Sequence, residues 1–191
     1  MVKYQIIPVQ KTAVLQGENY TNPWYIFFED IWRKTGKASP IKIGGVLSTN
    51  TTSVGNVGAG EDDLITYSMD RDTSRNDGDI IEVIAYGTFA ANANNKEVKM
   101  YFGSTEIFAT GANAINDGSW VIKATITRTD SDAQQIITDG NSNSSLARNA
   151  TYTSGTEDFT TALTIKCTGE ATANDDIVQQ GLIVKFYPNI P

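Results

Sequence analysis

The 191-residue chain contains no histidine and a single cysteine, Cys167. Without histidine there is no Ser–His–Asp or Cys–His mechanism and no His-ligated zinc site. One cysteine leaves no internal disulfide framework and no CxxC metal site. No run approaches the roughly 18 apolar residues of a membrane helix, so membrane insertion is not expected. The opening MVKYQIIPVQ lacks the apolar stretch and small-residue cleavage site of a secretory signal. Fifteen basic residues stand against 22 acidic ones, a formal net charge of −7. Neutralising phosphate needs an excess of Lys and Arg, so nucleic acid is not an expected partner. What is present is ordinary for a folded chain. The 40% hydrophobic and 19% charged content is too apolar for wholesale disorder. The length suits one domain, or one domain with an appendage.

Charge divides the chain. Residues 1–43 hold six basic and three acidic residues, and residues 44–191 hold nine and nineteen, so the two parts carry +3 and −10. Residues 1–43 read as an arm and a helix for attachment and oligomerisation, and residues 44–191 as a β-domain. Residues 1–21 carry Pro8 and Gly17 and show no helical period, which suggests an extended arm. A helix is then expected. Asn22 suits the N-cap and Pro23 the first helical position, where its missing N–H costs nothing. Trp24, Phe27, Phe28 and Ile31 follow at i, i+3, i+4 and i+7, and Trp32 and Tyr25 widen the stripe. Glu29–Arg33 and Asp30–Lys34 are i,i+4 pairs in the favourable order, and Gly36 is the natural stop. Such a short helix is marginal alone in water. Its aromatic load needs cover, from its own β-domain or from the same helix in neighbouring subunits. The width of the stripe suits two partners, as in a cyclic trimer, and Trp24, Phe27, Phe28, Ile31 and Trp32 are the candidate oligomerisation and attachment residues.

From residue 44 onward, turn-forming Gly, Asn, Thr and Asp punctuate short runs with strand character. Strands are expected near 64–69, 80–90, 97–102, 106–110, 120–129, 134–138, 150–153, 162–168 and 178–187. Trp120, Ile122, Ala124 and Ile126 alternate with Val121, Lys123, Thr125 and Thr127, as in a strand with one buried face. Leu163, Ile165 and Cys167 alternate in the same way, as do Val98, Met100 and Phe102. Gly103–Ser104 looks like a tight hairpin turn. No helical period lies between the strands and no 20–50-residue repeat occurs. The expected fold is mainly β, an antiparallel jelly-roll-like β-sandwich of about eight strands, preceded by the arm and the short amphipathic helix.

Motifs for chemistry are weak. The acidic stretches are Glu61–Asp62–Asp63, the loop holding Asp70, Asp72, Asp77 and Asp79, and Asp175–Asp176. The run from Asp70 starts like a calcium loop. It places Arg75 where glycine is required and Ile81 where a bidentate Glu belongs. Solvated turn acids are the simpler reading. Carboxylate pairs for glycoside hydrolysis arise by number alone in so acidic a domain. Cys167 reads as a small buried residue, with Lys166 on the opposite strand face. The glycines from Gly44 to Gly60 lack a Gly–Lys–Ser/Thr ending and read as a flexible lead-in. Tyr67, Tyr86, Tyr101, Phe102, Phe108 and Tyr152 could stack on sugars, with core packing the default for most. No catalytic residue, metal site or cofactor is expected.

Several stretches carry a resemblance: GENYTNPWYIFFEDIWRKTG, GNVGAGEDDLITYSM, GTFAANANNKEVKMYFGSTEIFATG, GSWVIKATITRT and LTIKCTGEATANDDIVQQGLIVKF. Together they resemble small tailed-bacteriophage virion appendage proteins of the tail-fibre, spike and head-fibre type. The resemblance implies a non-enzymatic structural protein located in the virion and assembled in the bacterial host cytoplasm. It implies a homotrimer whose residues 1–36 meet another virion protein (capsid, tail or portal-proximal). An outward β-sandwich would follow, with a host-surface glycan as a further partner. The chain has no coiled-coil or collagen-like shaft, so a short knob or spike is the expected form. A stand-alone lectin-like module is the alternative, and a polysaccharide-degrading enzyme the more distant one.

Overall fold

The computed structural model describes residues 15–16, 19–20, 44–71, 73–142 and 149–189. The chain divides into two compact units, residues 1–43 and residues 44–189. In the first, β1 (Leu15–Gln16) pairs antiparallel with β2 (Asn19–Tyr20), Leu15 opposite Tyr20. The expected helix, with Trp24, Phe27, Phe28, Ile31 and Trp32, lies outside the described residues.

Among the described residues the second unit has twelve strands: β3 (Gly45–Asn50), β4 (Val54–Gly55), β5 (Gly60–Met69), β6 (Ile80–Phe89), β7 (Asn95–Phe102), β8 (Thr105–Ala109), β9 (Asn113–Ala114), β10 (Gly118–Asp130), β11 (Ala133–Ser142), β12 (Asn149–Gly155), β13 (Leu163–Ala171) and β14 (Ile177–Tyr187). Eight of them pair as a nested set: β3 with β14, β5 with β13, β6 with β10 and β7 with β8, all antiparallel. The β14–β6 and β13–β7 pairings join these ribbons into two sheets. The orders are β12-β11-β10-β6-β14-β3 and β5-β13-β7-β8, with β4 added on β14 and β9 on β7. A long antiparallel ribbon rolled up in this way is a jelly-roll sandwich. The β11–β12 hairpin is an addition that widens the larger sheet.

Alternating sequence produces this arrangement because successive side chains point to opposite faces of a strand. Trp120, Ile122, Ala124 and Ile126 of β10 are all buried, as are Val98, Met100 and Phe102 of β7 and Leu163, Ile165 and Cys167 of β13. The two inner faces share one core. Each large apolar side chain buried there contributes about 1.5–3 kcal/mol. Thr138 of β11 donates its hydroxyl across the sandwich to the Ile107 carbonyl of β8 at 3.2 Å. The Ile65 N–H of β5 donates to Gln179 Oε1 of β14 at 2.9 Å. Gly140 is required at its place, because a Cβ there would collide with the Phe108 ring of the opposite sheet. Gly103, at φ 60°, makes the two-residue turn between β7 and β8. A positive φ at the first turn position is what a type II′ hairpin demands.

The nine expected strands all fall on observed ones. The difference lies between residues 44 and 60. The stretch read as a flexible lead-in contains β3, which closes one edge of the larger sheet. A register shift against β14 at Val184/Lys185 breaks its alternation, so no period of two shows in the sequence.

Candidate interaction surfaces

The outer faces of the two sheets differ in chemistry. On the smaller sheet the register sets three rows: Thr66–Lys166–Tyr101–Glu106, Asp63–Thr168–Lys99–Ala109 and Glu61–Glu170–Glu97. Five carboxylates surround two ammonium groups. Lys99 Nζ lies 3.0 Å from Glu61, 3.4 Å from Glu170 and 3.8 Å from Glu97. Glu61 also accepts hydrogen bonds from the Thr168 hydroxyl at 2.6 Å and the Tyr101 hydroxyl at 3.0 Å. Lys166 pairs with Asp63 and sits 5.5 Å from the Tyr101 ring centroid. The bond from Thr168 and those from Lys99 and Tyr101 hold the Glu61 carboxyl below its ordinary range, against the effect of burial. The same carboxylate raises Lys99. Burial first, then Glu61, pushes the Tyr101 phenol up to about 12.

On the larger sheet one row crosses six strands: Tyr152–Ile137–Thr125–Glu82–Lys185–Val46. Beside it runs Ala150–Asp139–Lys123–Ile84–Ile183–Thr49. Flanking rows bring Val121 opposite Tyr86 and Ile80 opposite Tyr187. Four charges stand in these rows, two of each sign. Glu82 and Lys185 form an ion pair at 2.8 Å, which lowers the Glu82 carboxyl. Lys123 and Asp139 are register partners. Among the described residues five large hydrophobic side chains are exposed. Four of them, Val46, Ile137, Tyr152 and Tyr187, stand on this face.

The ends of the sandwich are tied by buried polar groups. Lys96, fully buried, donates to the Asn92 carbonyl (3.0 Å), Asn92 Oδ1 (2.7 Å), the Asn94 carbonyl (3.2 Å) and the Ile115 carbonyl (2.7 Å). Asp176 accepts from Asn92 Nδ2 (2.6 Å), Asn94 Nδ2 (2.9 Å) and the Ala173 N–H (2.9 Å). Burial pushes the Lys96 ammonium down, with Asp176 opposing. Burial would raise Asp176, but its three donors and Lys96 outweigh that and hold it low. A buried charge is tolerable only when well hydrogen-bonded, and each of these has three or more partners with the opposite charge near enough to act on it.

The residues singled out in the sequence are dispersed. At the opposite end, Asp79 is buried and accepts from the N–H groups of Arg75, Asn76 and Asn189. Asp77 lies 3.4 Å from Arg128 Nε, an ion-pair distance. These two acids of the Asp70 loop hold backbone and arginine. Among the described residues no group of three or more Cys, Asp or Glu side chains is placed to hold a metal ion. Also among them, no helix is long and apolar enough to cross a membrane. Cys167 is buried, and burial pushes its thiol up, away from thiolate chemistry. Of the candidate aromatics, Phe102 and Phe108 are core residues, and Tyr67, Tyr86 and Tyr101 are half-buried. Tyr152 is 61% exposed. The apolar outer face escaped sequence reading, although one signal exists. In β6, Ile80–Ile81–Glu82–Val83–Ile84–Ala85–Tyr86 is apolar at nearly every position, the pattern of a strand covered on both sides. Nothing around Lys96 announces its burial.

No protein-family model matches the chain, and comparison with characterised proteins yields no relative.

Proposed function

We propose that the chain is a non-enzymatic structural protein of a tailed-phage particle: a short trimeric fibre, spike or knob, attached through residues 1–36. The observation that carries this reading is the asymmetric jelly roll. One broad outer face is apolar and charge-balanced, while the other is acidic and already paired within itself. Jelly rolls serve both viral structural proteins and lectins, so the fold alone does not choose between them. A wide, half-apolar face favours association with a macromolecule over chemistry on a small one. The resemblance of the quoted stretches to virion appendage proteins supplies the particle. The test is incorporation. Particles produced by the genome that encodes this chain should contain it in multiples of three, and should lose it when residues 1–36 are deleted. Purified particles that lack the chain, or retain the deleted form, overturn the reading.

A second reading has its own observation. Tyr152 presents an open ring on the same sheet face as Gln135, Asp139 and Asn141, whose polar groups suit hydrogen bonds to a stacked sugar. A glycan array probed with the full chain and with Tyr152→Ala decides it. Binding lost in the variant supports a lectin-like module, and a blank array at high protein concentration removes it.

A further inference from the structure

We propose that the outer face of the larger sheet is the surface through which copies of this chain meet. The inference rests on the self-association in the reading above, though not on the particle. Three observations select the face and its occupant. Exposed apolar side chains concentrate there: Val46 at 62%, Ile137 at 58%, Tyr152 at 61% and Tyr187 at 46%. The face is also large enough. Six strands about 4.8 Å apart, with outward rows about 6.6 Å apart, span on the order of 700 Å². A stable protein interface takes roughly 600–1,000 Å² from each partner.

Charge identifies the occupant. The chain carries a net −7, so any copy of it approaches as an acidic body. The smaller sheet turns five carboxylates and two lysines outward and would repel that body. The larger sheet presents Glu82 and Asp139 against Lys123 and Lys185, which sum to zero. A basic partner would prefer the acidic face. An acidic partner with an apolar face of its own, which is what a second copy is, meets least repulsion on the neutral one. Around a threefold axis one broad face on each copy can meet both neighbours, which agrees with the trimer proposed above.

The test uses the full chain in solution. Light scattering across a dilution series gives the concentration of half-dissociation for the wild type. The same is measured for Ile137→Lys, Tyr152→Lys and the Val46→Lys/Ile137→Lys/Tyr152→Lys triple variant. Thr66→Lys adds the same charge to the exposed surface of the smaller sheet and serves as control. All these positions are exposed, so unfolding midpoints measured on dissociated protein should stay unchanged and establish that each variant folds. An oligomer is expected whose half-dissociation concentration rises about tenfold or more in each single variant. The triple variant should be monomeric, and Thr66→Lys should behave as wild type. A triple variant that associates like the wild type places the interface elsewhere and overturns the proposal. So does a wild type that is monomeric at high concentration, which would leave the face to a different partner. Particle incorporation is read separately. An oligomer indifferent to these substitutions but present in particles defeats the interface and leaves the appendage reading standing.

Discussion

The two outer faces of the sandwich are made by the same rule and end in opposite states. On each sheet every second residue points outward, and the fold leaves the identity of those residues free. The smaller sheet uses that freedom to satisfy itself. Lys99 sits among three carboxylates, and Glu61 accepts from a threonine, a tyrosine and a lysine at once. The larger sheet balances its few charges and leaves Ile137, Tyr152 and Val46 facing water with nothing described above them. Hydrogen bonds and ion pairs saturate, whereas exposed apolar area keeps a driving force for association. The difference teaches where to look for a partner in a fold whose interior is occupied by packing.

The largest effect comes from breaking the separation of inner from outer. Phe102 is fully buried under the charged face, with its ring centroid 5.8 Å from that of Phe159. Phe102→Ala should cost about 3–5 kcal/mol, through lost transfer energy and the cavity left behind. Ile137→Ala, on the outer face of the other sheet, should stay within about 0.5 kcal/mol, provided it is measured on dissociated protein. Urea unfolding of both variants reads the contrast. Equal losses would mean that Ile137 belongs to a core rather than to a surface.

A smaller effect tests whether the charged face is held together as described. The Glu61 carboxyl is lowered in the folded protein, chiefly by Thr168, then by Lys99 and Tyr101. A lowered carboxyl contributes stability above the unfolded carboxylate range, and that contribution is lost as pH falls through the folded value. Glu61→Gln should therefore destabilise the protein by about 1 kcal/mol near neutrality, the scale of a partly exposed ion pair. The difference from wild type should shrink as pH falls below the ordinary carboxylate range towards the lower pH at which the folded carboxyl is protonated. A loss that stays constant down to that pH would assign the effect to packing instead of charge.

Much of this architecture was legible in advance, and what was not has physical causes. Strands β10, β13 and β7 alternate because each has one face in the core, so periodicity locates them and names Cys167 as buried. The strand order is a non-local property. The pairing of β3 with β14 joins residues 132 to 141 positions apart, and no window of sequence contains it. β3 itself was invisible because it is an edge strand with a register shift. Core packing is the default for most of the candidate aromatics, and Phe102 and Phe108 follow it, whereas Tyr152 stands exposed. The acids of the Asp70 loop read as solvated turn acids, and Asp79 departs from that reading: it is buried and accepts from backbone N–H groups, while Asp77 lies beside Arg128. The apolar outer face requires knowing which strands are neighbours. Ile137, Tyr152 and Val46 are unremarkable in their own segments and form a surface only when β12, β11, β10, β6, β14 and β3 lie side by side.

The smallest effect is the most specific to the charged face. The Tyr101 hydroxyl bonds to Glu61 at 3.0 Å and lies 3.4 Å from Glu106. Burial first, and then the negative charge of both carboxylates, opposes formation of the phenolate and moves its ionisation up to about 12. A raised value means the folded state binds this proton more tightly than the unfolded chain. Its contribution is complete below the ordinary tyrosine value of 10 and fades as pH rises from there towards 12. Tyr101→Phe keeps the ring beside Lys166 and removes only the hydroxyl, so it should cost about 0.5 kcal/mol at neutral pH. Its clearer signature is in the phenolate absorbance, where one component of the alkaline titration should disappear. Glu61→Gln should leave that component in place and move it to lower pH, because one of the opposing charges is gone. If the component survives Tyr101→Phe, or is indifferent to Glu61, then the hydroxyl is not held between the two carboxylates, and the smaller sheet's outer face is more open to a partner than its lysine and carboxylate network implies.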